Sequence, residues 1–309
     1  MSQTAVRRFA GWLPTAVDVR VRALAVASLI GQIVLIVTGG AVRLTSSGLG
    51  CPTWPRCTAN SLTTTPEMGY HGIIEFGNRL LTFALSAVAL AMLVAVWKLR
   101  KERKDLFWLA VALLASIPAQ AVIGGISVLT QLNPWVVALH FLVSMALVVF
   151  AMLLVNRAYG RAGRFMTRSL PALPSSMRPV TAATAGAVAL AVVLGVVVTG
   201  AGPHAGDANA PRNGLDWDLV AHLHAVPAYL VTFGALFALV VVLTRRVGGP
   251  FRTAVLGLLG LTVLQAALGI TQYYTGIPAL LVGLHMFVGA LLMAEATNAA
   301  DLARWSPRV

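Results

Sequence analysis

The chain is predicted to be an all-α integral membrane protein, with eight transmembrane helices arranged as two pseudo-twofold-related four-helix bundles. Composition is the first reason: of 309 residues, 58% are hydrophobic and only 11% charged, and mean hydropathy is +0.82. That is too apolar for a soluble domain. The second is eight apolar stretches of the length that crosses about 30 Å of hydrocarbon, roughly 20 residues each. The third is a duplication: Gln120 to His140 reads QAVIGGISVLTQLNPWVVALH, and Gln265 to His285 reads QAALGITQYYTGIPALLVGLH. Gln, Ala, Gly, Thr, Val, Leu and His recur in register, and both segments end in histidine.

The elements follow in order. Helix 1 (Ala23–Val42) comes after Arg7, Arg8, Arg20 and Arg22. Those first 22 residues lack the apolar centre of a cleavable signal, so helix 1 is read as an uncleaved anchor. A Pro/Gly-rich outer loop then carries both cysteines, Cys51 and Cys57. Helix 2 (His71–Val96) holds Glu75, Asn78 and Arg79 and is followed by Lys98, Arg100, Lys101, Arg103 and Lys104. Helices 3 (Leu106–Leu129) and 4 (Trp135–Val155) contain the first copy of the duplicated segment. A linker with Arg157, Arg161, Arg164, Arg168 and Arg178, broken by Pro171, Pro174 and Pro179, leads to helix 5 (Val180–Thr199). Helix 6 (Leu219–Leu243) precedes Arg245, Arg246 and Arg252. Helices 7 (Ala254–Tyr274) and 8 (Ile277–Ala296) contain the second copy. The expected organisation is a cytoplasmic segment (1–22), a first four-helix unit (23–155), a cytoplasmic linker (156–179), a second unit (180–298) and a cytoplasmic tail (299–309).

Net charge is +13, yet nineteen of the 23 basic residues fall on one side of the predicted membrane. The positive-inside rule accounts for them, puts both termini in the cytoplasm of a multi-pass cell-membrane protein and leaves nothing for a nucleic-acid partner. Cys51 and Cys57, on the oxidising side, are read as a disulfide, with two free thiols as the alternative.

The repeat also aligns the even helices. His140 lies 62 residues after Asn78 and His285 lies 61 after His224, so Asn78 fills the slot of His224. The ends of helices 1 and 5 match as Val37-Thr38-Gly39 and Val198-Thr199-Gly200. A single intramembrane histidine often serves only to bond a backbone carbonyl. Three at one depth, two of them in one unit, point to haem iron between facing helices. Zinc or copper fits less well, because no cysteine or carboxylate cluster accompanies them. His222, about 200° around the helix from His224, is the lesser candidate ligand, and His204 is expected to be solvated in its loop. The first-half ligand set stays open: His140 alone, or His140 completed by Asn78, His71 or water. Glu75 and Arg79 share a helix face with Asn78; they form either a structural ion pair or a proton acceptor and propionate anchor beside a haem. Interfacial solvation is expected for Glu295.

On these residues the chain resembles the haem A synthase family, in the bacterial, actinobacterial-like form with Asn in the helix-2 motif. The resemblance rests on VTGGAVRLTSSGLGCPTWPRC (Val37–Cys57), on IEFGNR (Ile74–Arg79) and on the three histidines. The family commonly has histidine where this chain has Asn78, and aspartate where it has Thr53. The resemblance implies oxidation of the C8 methyl of haem O to a formyl group. Haem O would be the substrate of the first half, with His140 as ligand and Glu75 near the reacting methyl. A haem b held by His224 and His285 would relay electrons in the second half. It further implies haem O synthase and terminal-oxidase assembly factors as partners, besides the lipid bilayer. The competing expectations are a di-haem b-type cytochrome that only passes electrons and, less favoured, a membrane transporter.

Overall fold

The computed structural model describes residues 13–309; Arg7 and Arg8 lie outside the described residues. Among the described residues eight helices are long and apolar enough to cross a membrane. They are α1 (Val19–Leu44), α2 (Gly69–Val96), α3 (Lys104–Leu129), α4 (Pro134–Ala158), α5 (Met177–Ala201), α6 (Trp217–Thr244), α7 (Gly249–Tyr274) and α8 (Ala279–Trp305). Among the described residues the only β pairing is an isolated bridge between Leu173 and Arg308.

Most helices outrun the apolar stretches by several residues, because backbone hydrogen bonding continues past the point where charges begin. Polar caps fix several starts. Asp18 accepts from the backbone N–H of Arg20 at 3.0 Å and of Val21 at 3.2 Å. Asn133 accepts from Trp135 at 3.0 Å, with Pro134 following it, and Asp216 accepts from Leu219 at 2.7 Å. These satisfy amides that have no partner within the helix.

Helix α8 departs most from the sequence expectation. It begins at Ala279 rather than Ile277, because Ile277 lies at φ +59° in the turn. It then runs on to Trp305, so the predicted tail opens as helix. The cause is an ion pair near its end: Arg157 of α4 binds both carboxylate oxygens of Asp301, at 2.6 and 2.9 Å, and Asn156 donates to the same group at 3.0 Å. Arg178 adds bonds to the carbonyls of Ala303 and Ser306. The arginine-rich linker is therefore sewn to the end of the chain.

The helices form two closed rings: α1–α2–α3–α4 and α5–α6–α7–α8, each helix touching its two ring neighbours. Between rings, α4 packs on α8, α1 on α8, and α4 on α5. Exchanging the halves leaves this pattern unchanged. The α3–α4 and α7–α8 turns also repeat in detail. Leu132 N donates to Ser127 O at 2.7 Å and Ile277 N to Gln272 O at 2.8 Å, and Leu132 and Ile277 both have φ +59°. A left-handed backbone is costly for a β-branched or bulky side chain such as Ile277 or Leu132, so its recurrence reflects a turn that both halves require.

Packing is uneven along the membrane normal. The main core lies toward the arginine-rich end, where Met92, Leu106, Val148, Leu154, Val188, Val242, Phe251, Leu258 and Leu302 are almost wholly enclosed. Toward the cysteine-loop end the interior is not filled: no residue is buried in 133–144, 189–199 or 263–287. On the outside of α6, Leu219, Leu223, Val226, Leu230 and Phe233 stand exposed at helical spacing, as a lipid-facing stripe does.

Candidate functional site

The three predicted histidines all lie in the loosely packed end, each lodged against a glycine of the neighbouring helix. A methyl group placed on Gly124 of α3 would stand 3.2 Å from Cε1 of His140 on α4. The same substitution on Gly269 of α7 would stand 3.2 Å from Cε1 of His285 on α8, and on Gly195 of α5, 3.1 Å from Cε1 of His224 on α6. Each glycine thus supplies the space its imidazole occupies. Two of the three were visible in the duplicated segment, where Gly124 and Gly269 recur at the same distance before their histidines. Gly195 lay outside that segment and carried no signal.

The fourth corner differs. Asn78 of α2 faces Thr38 of α1, whose hydroxyl donates to the Asn78 side-chain oxygen at 2.7 Å. Thr38 therefore answers structurally to Gly195. The matched triplets at the ends of α1 and α5 pair it with Thr199 instead, so that match is displaced by one turn from the facing positions.

His224 Nδ1 lies 2.8 Å from the Ala191 carbonyl. Donating there fixes the ring and leaves Nε2 as a free lone pair, which is the orientation a ligating histidine needs. Nδ1 of His140 and of His285 are buried with no hydrogen-bond partner among the described residues. The repeated glutamines sit nearby: Gln120 donates to the His140 carbonyl at 3.2 Å and to Ser144 Oγ at 2.6 Å. The side-chain oxygens of Gln120 and Gln265 are buried and unpartnered among the described residues. Orphaned buried polar atoms are rare in a finished interior; here they recur beside His140 in one half and His285 in the other.

His224 and His285 face each other with ring centres 6.2 Å apart and planes at 67°. Metal–nitrogen bonds of about 2 Å, plus about 1 Å from nitrogen to ring centre on each side, put two ligating imidazoles about 6 Å apart. The pair therefore fits one shared metal ion. Among the described residues no three His, Cys, Asp or Glu side chains cluster as a bare ion's cage would require. Two facing imidazoles with no third such side chain beside them among the described residues suit a metal that brings its own equatorial ligands, as haem iron does.

Above the first-half corner lies the cysteine loop, closed by a Cys51–Cys57 disulfide with Cα atoms 4.4 Å apart. Trp54 from this loop packs its indole on Gly125, beside the glycine that receives His140. Glu75 is buried and holds the loop: its Oε2 accepts the Cys51 amide at 2.6 Å, and its Oε1 pairs with Arg79. Arg79 in turn donates to the carbonyls of Cys51 at 3.2 Å and Thr53 at 3.3 Å. The carboxylate and guanidinium thus fasten the loop while standing on the helix face of Asn78.

The remaining histidines separate cleanly. His222 is exposed, its Nδ1 on its own helix's Asp218 carbonyl at 2.7 Å and its ring edge-on to Tyr273. His71 Nδ1 contacts Ser47 Oγ at 3.0 Å, tying it to the cysteine loop. His204 is not left to solvent, as its loop position suggested. Its Nε2 meets the Ile277 carbonyl at 2.8 Å, while its own carbonyl accepts from Arg43, which also donates to Thr199 O at 2.7 Å. Nothing in the spacing of Arg43 announced this tie between halves. Glu295, expected to be solvated at an interface, accepts from Asn298 at 3.1 Å and lines a cleft with Arg161 and Arg168.

Comparison with known proteins identifies the family. Residues 22–297 match the family COX15-CtaA, described as cytochrome oxidase assembly protein. A heme A synthase of Lysinibacillus sphaericus is 34% identical over 134 residues, 42% of this chain and 42% of that protein. One from Bacillus pumilus is 32% identical over 142 residues, 44% of this chain and 45% of its own length. One from Symbiobacterium thermophilum is 32% identical over 144 residues, 46% of each. The matched segment spans less than half the length of these curated relatives. The family match covers nearly all of the membrane-spanning region, from the first turn of α1 well into α8, and the chain belongs to the cytochrome oxidase assembly family that includes the haem A synthases.

Proposed function

We propose that this protein is a haem A synthase, an oxidoreductase that converts the C8 methyl of haem O to a formyl group. The observation that carries the proposal is the facing His224–His285 pair in one half, with His140 repeating His285 in the other. In this reading His224 and His285 hold a haem b that relays electrons, and His140 holds the substrate haem in the first half. Bound iron supplies the oxidative chemistry; the protein supplies position and charge. Glycines 124, 195 and 269 set the imidazoles at depth. Arg79, already bridging loop and helix, offers a guanidinium to haem propionates. Glu75, paired with the guanidinium of Arg79, is the carboxylate on the Asn78 face and serves as proton acceptor. The Cys51–Cys57 loop, held by the same pair, covers the outer face and excludes water.

The proposed setting is the cell membrane with both termini in the cytoplasm, since the arginine-rich end is where positive residues are retained. The two rings are related by a pseudo-twofold along the membrane normal, as the interchangeable helix contacts suggest. Haem O synthase and the terminal-oxidase assembly machinery are the proposed partners.

The test is pigment analysis in cells that make haem O but lack another route to haem A. Expression of the intact protein is expected to yield haem A in the extract and haem b on the purified protein. His140→Ala should abolish haem A while retaining haem b, and His224→Ala should lose haem b. Two retained b haems with no modified porphyrin would replace this reading with an electron-passing cytochrome.

A further inference from the structure

We propose that the Thr38–Asn78 pair makes the first-half site a one-imidazole site, whose open coordination face admits a small neutral ligand. Thr38 is the specificity-determining residue that keeps a second imidazole out. The inference rests on the reading of His140 as a haem ligand and asks what stands opposite it.

The two halves give the comparison directly. In the second, His224 turns its ring into the space left by Gly195, where even a methyl group would stand 3.1 Å from the imidazole. In the first, the facing residue is Thr38, at the same distance from the end of its helix as Gly195 from the end of α5. A threonine there fills the imidazole's space with a branched side chain. The residue opposite is correspondingly short, and Thr38 Oγ1 donates to its carbonyl oxygen at 2.7 Å.

The chemistry of Asn78 completes the argument. An amide can offer a metal only its carbonyl oxygen, because its nitrogen carries two hydrogens and no available lone pair. With the Thr38 hydroxyl donating to that oxygen at 2.7 Å rather than to the Val34 carbonyl at 3.0 Å, the NH₂ group is left to donate to whatever enters the open face. Paired axial imidazoles close a haem to further ligands, whereas a single one leaves a position for them. The two halves therefore differ in function through two residues, Gly195/His224 against Thr38/Asn78. The small ligand class this face takes is a neutral diatomic with a hydrogen-bond-accepting end.

Carbon monoxide on the dithionite-reduced, haem-loaded full-length protein is the probe. Of two haems per chain, the one that is lost in His140→Ala is expected to bind carbon monoxide, and the one lost in His224→Ala is not. The double variant Thr38→Gly/Asn78→His should keep both haems and lose carbon monoxide binding, as the first site becomes a paired-imidazole site. Asn78→His alone, with Thr38 in place, should still bind it. Retention of the His224–His285 haem spectrum reports that each variant is folded. Two retained haems, neither of which binds carbon monoxide in the unaltered protein, overturn the open face while leaving the two-site reading intact. Undiminished binding in the double variant overturns the role given to Thr38. A protein that holds only the second-half haem overturns the two-site reading itself, and this inference with it.

Discussion

At the scale of single residues, the site is a matter of volume as much as of ligand chemistry. His285 was legible because it closes a repeated segment; the glycine that makes room for it gains meaning only once α7 and α8 are seen side by side. Gly269→Val is expected to push the imidazole out of line and abolish the paired-imidazole absorption of the second-half haem. Gly260→Val, on the same helix with open space around it, should leave that spectrum unchanged. Glu75 illustrates what spacing cannot convey. Its position one turn from Asn78 was readable, but its bond to the Cys51 amide links segments that no sequence pattern relates. Glu75→Gln keeps an oxygen for that amide and removes the charge that Arg79 pairs with. Turnover should fall about 100-fold, the usual worth of a positioned acid–base group, with haem content unchanged. Haem A yield per mole of bound haem is the measurement that checks it.

At the scale of elements, hydropathy identified every membrane helix but not where each one stops. A helix ends where its last carbonyls find other partners or its backbone turns left-handed, not where lipid ends. The extension of α8 past Ala296 comes from Asp301 meeting Arg157 and Asn156 across the bundle. These residues lie far apart in sequence, and the arginine looked like one more positive charge of the linker. Arg157→Ala would leave the Asp301 carboxylate buried without its cation, a loss of about 3–5 kcal/mol. Arg157→Leu combined with Asp301→Leu removes both charges and should cost much less. Thermal unfolding of the purified protein in detergent, followed by loss of α-helical circular dichroism, ranks the two. A larger loss in the double variant than in the single would show that the pair contributes more than mutual neutralisation.

For the whole molecule, the decisive property is the division of each four-helix ring into a packed end and an unfilled one. The arginine-rich end is a conventional core that crosses from one ring to the other. The cysteine-loop end gathers three imidazoles, unpartnered glutamine oxygens and no buried residue along 133–144, 189–199 or 263–287. Burial is what protects backbone hydrogen bonds from opening, so the two ends should differ in local stability. A group that binds only the folded state stabilises it in proportion to its affinity. Without haem, amides in the cysteine-loop halves of α4, α5, α7 and α8 should therefore exchange with deuterium much faster than those facing Val148, Val188, Leu258 and Leu302. Loading haem should slow exchange in the first group and leave the second almost unchanged. Each half should respond to its own ligand: His140→Ala should leave only the 133–144 stretch unprotected, and His224→Ala only 189–199 and 263–287. Uniform protection along the helices in the haem-free protein would mean that the gap closes on itself. The histidines would then be packing groups, and the same membrane fold would need another explanation for repeating them.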